Sequence, residues 1–226
     1  LLFHDQFPEV NFSFSRLQGI DEHGNLLRKP NTFENRSLSV EGHAISSILY
    51  GSISGNIANV CLVKKACEDI GYFDESMIYV GDFKMWCLLS KHNPIGMNGS
   101  VLVYVRQHKG QLSKNLKASY HKLIENYEVY QCFLNTLPGN YQKAAKAALR
   151  WKIYPYYFNQ YLFILKGGDL DLAKRYRQDL TQYGSMSSLA YRWSIVKILE
   201  VLGLKPKLYK RLVLNLKNTE KPRNSG

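Results

Sequence analysis

The residues best suited to chemistry lie between Gly55 and Ser113. Asp82, in the stretch G-D-F-K-M-W, offers a carboxylate that can take a proton from a hydroxyl held within hydrogen-bond reach. Asp is also a preferred helix N-cap, so capping is the competing reading. Trp86 follows one helical turn later on the same face, where its ring either stacks on a ligand ring or fills a core. Arg106 and His108, in R-Q-H-K-G-Q-L-S, supply a forked donor for phosphate and an imidazole able to ligate a divalent cation; a plain surface histidine is the alternative for His108. Gly55 and Asn56 precede an apolar run and either let the backbone approach a ligand or form a tight turn. Asp74 and Glu75, in G-Y-F-D-E-S, pair two carboxylates but read as turn and capping groups.

The elements that position these residues alternate. Val10 to Ser15 alternates apolar and polar at period 2, I-D-E-H-G-N from Ile20 to Asn25 reads as a turn with Gly24 available for positive φ, and Leu26-Leu27 resumes a strand. Ile57 to Val63 is a nearly continuous apolar run, the pattern of a strand covered on both faces, followed by a short helix from Lys64 to Ile70 that Gly71 stops. Asp82 to Lys91 is spaced as a helix ending at the H-N-P break, and Val101 to Arg106 returns to strand. Strands interleaved with short helices predict an α/β layer with a buried sheet.

The second half reads as helix throughout. Leu116, Tyr120, Leu123, Tyr127, Tyr130 and Leu134 recur at helical spacing up to the L-P-G-N break. Further helices are expected over Tyr141 to Lys166, kinked or divided at Pro155, over Leu170 to Gln182 with Asp169 as N-cap, over Met186 to Leu202 and over Lys207 to Lys217. Counted from Leu204, the residues Leu204, Leu208, Tyr209, Leu212, Val213 and Leu216 of this last segment fall on one side, and Lys207, Lys210, Arg211 and Lys217 on the other, with Lys205 and Leu214 out of pattern. Such a helix suits an anionic membrane surface, with its apolar face inserted; packing on neighbouring helices with the lysines in solvent is the alternative.

Charge separates the halves. Residues 1–110 hold 10 Lys and Arg against 11 Asp and Glu, and residues 111–226 hold 20 against 7, so the whole excess of +12 sits in the helical half. Nucleic acid is not expected as a partner, because no helix-turn-helix, zinc or RNP pattern accompanies that charge. The four cysteines lack C-x-x-C spacing, which argues against zinc and for a reduced compartment. No apolar run approaches the roughly 20 residues of a spanning helix. The chain opens on Leu1-Leu2-Phe3 without a signal-peptide pattern, and a fragment is expected.

The run from Gly55 to Ser113, in which the apolar strand leads to the basic pair Lys64-Lys65, then to G-Y-F-D-E, then to Gly81-Asp82 opening a helix, and finally to R-Q-H-K-G-Q-L-S, resembles the acceptor-side half of family 2 glycosyltransferases of the GT-A fold. The likeness covers about Val10 to Asn115, and S-R-L-Q-G-I-D-E-H-G-N resembles the strand and turn that follow the D-x-D segment in these enzymes. The D-x-D itself and the nucleotide-binding strands before it are not in this sequence. The resemblance implies a partial GT-A domain, a mixed sheet with flanking helices, over residues 1–113, with a helical extension over 114–217 and a disordered tail over 218–226. It implies Asp82 as the general base of an inverting transfer from a nucleotide-sugar donor to a hydroxyl acceptor, with Trp86, Gly55, Asn56 and Arg106 on the substrates. It also implies His108 on a divalent cation, Mn or Mg, in the complete enzyme. The acceptor would be a glycan or lipid-linked acceptor, and the setting cytoplasmic, at the inner membrane face. A non-catalytic interaction or scaffold module with a basic helical surface is the alternative.

Overall fold

A computed structural model describes residues 2–27, 33–55, 57–108 and 116–218, with backbone alone for 116–119 and 213–218. The chain divides into two compact units, residues 1–118 and 119–226, the first α/β and the second helical. Among the described residues no helix is long and apolar enough to cross a membrane.

The first unit runs α1 (Leu2–Gln6), β1 (Phe12–Ile20), β2 (Arg36–Leu38), α2 (Val40–Tyr50), β3 (Val60–Leu62), α3 (Lys64–Asp69), α4 (Gly81–Leu89) and β4 (Ile95–Arg106). Its mixed sheet has the order β2-β4-β1-β3, with β1 parallel to β4 and both outer strands antiparallel to their neighbours. A parallel pair needs a long crossover, and α2, α3 and α4 all lie in the stretch that connects β1 to β4. β1 is covered on both faces. Phe12 and Phe14 are buried on one, and Phe12 stacks on Trp86 of α4 (centroids 5.1 Å) and meets His43 of α2 edge-on (5.8 Å). Ser13 and Ser15, also buried, point to the other face, where α1 lies. Gly96 pairs with Ser13, and a Cβ there would stand 2.4 Å from a ring carbon of Phe3, so the glycine makes room for α1.

The register of β1 on β4 slips twice between Ser15 and Leu17, and Gly99, Ser100 and Leu102 of β4 are left over. Arg16 Nη1 donates to the Gly99 carbonyl (3.0 Å) and the Gly99 N–H donates to Asn35 Oδ1 (2.8 Å), which fixes the irregular stretch. A Cβ on Gly99 would sit 2.3 Å from the Phe33 carbonyl oxygen.

Three expectations for this unit change. The apolar run from Ile57 to Val63 is a 3-10 turn, Ile57–Asn59, followed by only three strand residues; β3 is an outer strand with Cys61 exposed, not a strand covered on both faces. The turn is held by Asn59, whose Nδ2 donates to the Ser15 carbonyl (2.5 Å), a bond available only off the strand ladder. Leu26-Leu27 forms a single bridge, Ile20 to Leu26, rather than a strand. Conversely, β4 begins at Ile95, six residues before Val101, because Ile95 pairs with β2 and Gly96 and Met97 pair with both β2 and β1.

The second unit contains α5 (Leu116–Thr136), α6 (Gly139–Ala148), α7 (Tyr154–Lys166), α8 (Leu170–Leu180), α9 (Met186–Val201) and α10 (Lys205–Asn218). Its core gathers Leu123, Tyr157, Phe158, Ile164, Tyr176 and Tyr183, among others. Tyr183 donates its hydroxyl to the Leu123 carbonyl and packs its ring against Tyr127, Tyr154 and Tyr157 at 4.9 to 5.2 Å. Asp169 caps α8, accepting from Leu172 N–H (3.0 Å), as the sequence predicts. The expected break at Pro155 is present: regular α-helix stops at Ala148 and resumes at Tyr154, with Pro155 in the first turn of α7. Immediately before α7 the chain makes one π-helical turn, Leu149–Ile153, and the wider spacing of that turn accommodates a proline whose missing N–H and ring would clash in a regular α-helix. α10 reaches Asn218, so the expected tail at 218–226 begins in helix and otherwise lies outside the described residues.

Candidate functional site

Asp82 stands in the first turn of α4, but the helix begins at Gly81 and its cap position is Val80, which offers no side-chain bond. Asp82 is therefore not the N-cap. Its Oδ1 accepts the Phe83 N–H at 2.7 Å, one of the donors that a helix start leaves without an intrahelical partner. The residue is half-buried. At its other end α4 is tied to the sheet: Asn11 Nδ2 donates to the Leu89 carbonyl (3.0 Å), beside the start of β1.

Trp86 follows on the same helix, yet none of it reaches solvent (0 %). One face lies on Phe12 and Phe73 meets it edge-on at 6.4 Å. The core reading describes this ring and the sugar-stacking reading does not, because its face is occupied. Its Nε1 is buried without a hydrogen-bond partner among the described residues.

Asp74 behaves as a turn residue. Its Oδ1 accepts from both the N–H and the hydroxyl of Ser76, and its Oδ2 receives Lys84 Nζ at 2.7 Å, which ties the G-Y-F-D-E-S turn to α4. The Lys84 bond first, then those from Ser76, hold the Asp74 carboxyl down to about 2.

Arg106 ends β4 and uses Nη1 to donate to the carbonyls of Asp21 (2.9 Å) and Glu22 (2.7 Å). Those carbonyls belong to the turn after β1, which Asp21 itself organises by accepting the N–H groups of His23 and Asn25 (2.9 and 2.8 Å), while Gly24 takes φ +91°. The guanidinium thus fastens the ends of the two parallel strands to one turn. His108 lies two residues beyond, exposed and outside any element. Among the described residues no group of three His, Cys, Asp or Glu side chains is placed to hold a metal ion. Gly55 takes φ +79°, with its N–H on the Ser52 carbonyl (3.3 Å), so the tight turn accounts for it; Asn56 lies outside the described residues.

One polar arrangement has no counterpart among the sequence candidates. A cleft of about 180 Å³ opens beside β1, lined by His4, Ser13, Ser15, Asn59, Asn98 and Leu102 among others. His4 Nε2 lies 3.0 Å from Ser13 Oγ, and burial lowers the histidine's affinity for a proton, which favours the neutral ring. The visible signal was the F-S-F-S alternation, which sends two serines to the face opposite two buried phenylalanines; that His4 would reach them needed the fold.

A scan against protein-family models finds no match, and neither a search of curated proteins nor one of solved structures returns one.

Proposed function

We propose that this chain is the C-terminal, acceptor-side portion of an inverting GT-A glycosyltransferase, with Asp82 as the general base. The observation that carries the reading is Asp82 itself: a half-buried carboxylate in the first turn of a helix whose far end is tied to the sheet and whose flank is tied, through Lys84 and Asp74, to the preceding G-Y-F-D-E-S turn. Such a carboxylate is oriented by the helix start, on a helix whose Lys84 anchors it to Asp74. In the proposed step Asp82 takes the proton of the acceptor hydroxyl as its oxygen forms a bond to the anomeric carbon, and the bond pair of the broken glycosidic linkage leaves with the nucleoside diphosphate. Gly55 and Asn56 are assigned to the donor sugar, and Arg106 to the charge developing on the diphosphate. The divalent cation belongs to the complete enzyme, with His108 as this chain's contribution to it. The helical unit, strongly basic, serves as an extension toward an anionic membrane face.

The test is donor turnover by the full-length protein, with and without manganese or magnesium, across a panel of nucleotide sugars. Asp82→Asn is expected to retain donor binding and to reduce turnover by roughly 10²- to 10⁴-fold, the range for losing a general base. Residues 1–226 alone are expected to transfer nothing. Near-normal turnover in Asp82→Asn would return this residue to a helix-end role.

A further inference from the structure

α9 is apolar on two sides. One side enters the core through Leu189 and Val196 and packs on α7. The other carries Tyr191, Ile198, Val201 and Leu202 at helical spacing, and all four are exposed, Val201 at 87 % and Leu202 at 61 %. Three of these gather at the corner where α9 ends, Gly203 turns at φ +68° and α10 begins. A soluble helix ordinarily turns polar residues outward, so a doubly apolar helix with one side bare marks a contact surface.

The chemistry around the corner says what kind. Glu200, the one acidic residue in the sequence from Lys197 to Arg211, is bracketed by Lys205 (2.7 Å) and Lys197 (2.9 Å), and the triad keeps a net positive charge. Lys207, Lys210 and Arg211 of α10 are exposed, and no acidic residue follows before Glu220. A second copy of the chain would bring residues 111–226, with 20 Lys and Arg against 7 Asp and Glu, against the same excess. An apolar edge rimmed by cations is complementary to a bilayer with anionic headgroups.

The apolar face of α10 is a different matter. Leu212 is buried, Leu204, Leu208 and Tyr209 are half-buried, and α10 packs on α6 and α9. The face that the sequence offers to lipid is turned inward for these residues.

We propose that the α9–α10 corner, with Ile198, Val201 and Leu202 as its tip and Lys197, Lys205, Lys207, Lys210 and Arg211 as its rim, enters the headgroup layer of an anionic bilayer. The inference sharpens the membrane partner proposed above and does not depend on sugar transfer, so vesicle binding and Asp82 turnover succeed or fail separately.

The experiment is sedimentation of residues 1–226 with phosphatidylcholine vesicles, with and without about a third phosphatidylglycerol. The unaltered chain is expected to partition onto the anionic vesicles only. Replacing Ile198, Val201 and Leu202 together by Gln is expected to reduce partition by at least about tenfold. Changing Lys207, Lys210 and Arg211 to Gln removes about fivefold per cation and flattens the salt dependence. Unchanged thermal melting of both variants keeps the comparison valid, and all the substituted positions are exposed. Equal binding of the Ile198/Val201/Leu202 variant, or no binding of the unaltered chain at low salt, overturns the proposal. So does a dimer that this variant abolishes in the absence of vesicle binding, which would give the face to a second copy.

Discussion

The α/β unit and the helical unit bury titratable groups of opposite consequence. Behind the sheet, His43 is enclosed between Phe12 and Ser90, with Nδ1 2.7 Å from the serine hydroxyl, and burial lowers its pKa to about 3. In the helical unit three phenols are enclosed: Tyr130, Tyr157 and Tyr183 are all pushed upward, in each case chiefly by burial. A histidine held neutral leaves the unfolded chain binding more protons between about pH 6.5 and pH 3, so the first unit loses stability as pH falls through that window. A phenol held neutral does the reverse: above about pH 10 the unfolded chain releases protons that the folded one keeps, and the second unit loses stability as pH rises. Two interiors of similar apolar character are thus set to fail at opposite ends of the pH scale.

The sharpest way to break this comparison is to remove the ring at the centre of the first unit. Trp86→Ala is expected to cost about 3–5 kcal/mol, the range for deleting a fully buried aromatic. Hydrogen exchange read peptide by peptide should then lose protection over β1, α4 and β4 while the tyrosine core of α7 and α8 stays protected; equal loss in both would show that the units do not fail separately. Next in size is alkali. Three enclosed phenols at about 1.4 kcal/mol each predict a loss of about 4 kcal/mol in the helical unit between neutrality and pH 11. Urea unfolding followed by residue-resolved NMR measures it, and a flat response up to pH 11 refutes it.

Acid is the smaller effect. His43 alone predicts a loss of about 2.7 kcal/mol in the α/β unit on going from neutrality to about pH 4.5. The carboxylates do not obscure it: the pKa values of Asp74 and Glu200 are held down to about 2, by Lys84 and Ser76 in one case and by Lys205 and Lys197 in the other. Their contribution is present above the ordinary carboxylate range and is lost only as pH falls toward 2. A loss spread equally over both units at pH 4.5 would point to charge repulsion in place of His43. Smallest is Tyr183→Phe, which deletes the hydroxyl bond to Leu123 and is expected to cost about 1 kcal/mol at neutral pH. The same change should remove about a third of the alkaline loss, which a repeat of the pH series checks.

How much of this was legible in the sequence depended on whether a signal was local. Asp169 as a cap, the turn around Gly24 and the long helix up to Thr136 rest on contacts within a few residues, and they stand in the structure. α2 carried little signal: V-E-G-H-A-I-S-S-I-L-Y mixes glycine and serines with apolar residues, and what makes it a helix is the core it enters through His43, Ile45, Ile48 and Leu49. β3 is short because an asparagine side chain competes with the ladder, which composition does not reveal. For the candidate site, helical spacing put Asp82 and Trp86 on one face correctly, but which of them meets solvent was decided by Phe12, seventy residues away along the chain. Arg106 was chosen for its fork, and the structure shows part of that fork fastening a turn.

The π-helical turn at Leu149–Ile153 lets the chain absorb one surplus residue: the turn widens, and the helix after it keeps the rotation of an uninterrupted α-helix one residue shorter, so Tyr157, Phe158 and Ile164 stay directed at the tyrosine core. One residue fewer there would close the turn to ordinary α geometry without turning those side chains away, and the cost of the deletion would fall on Pro155, whose ring and missing N–H suit the wider turn. Substitutions at the exposed Arg150 leave the residue count, and with it the turn, unchanged.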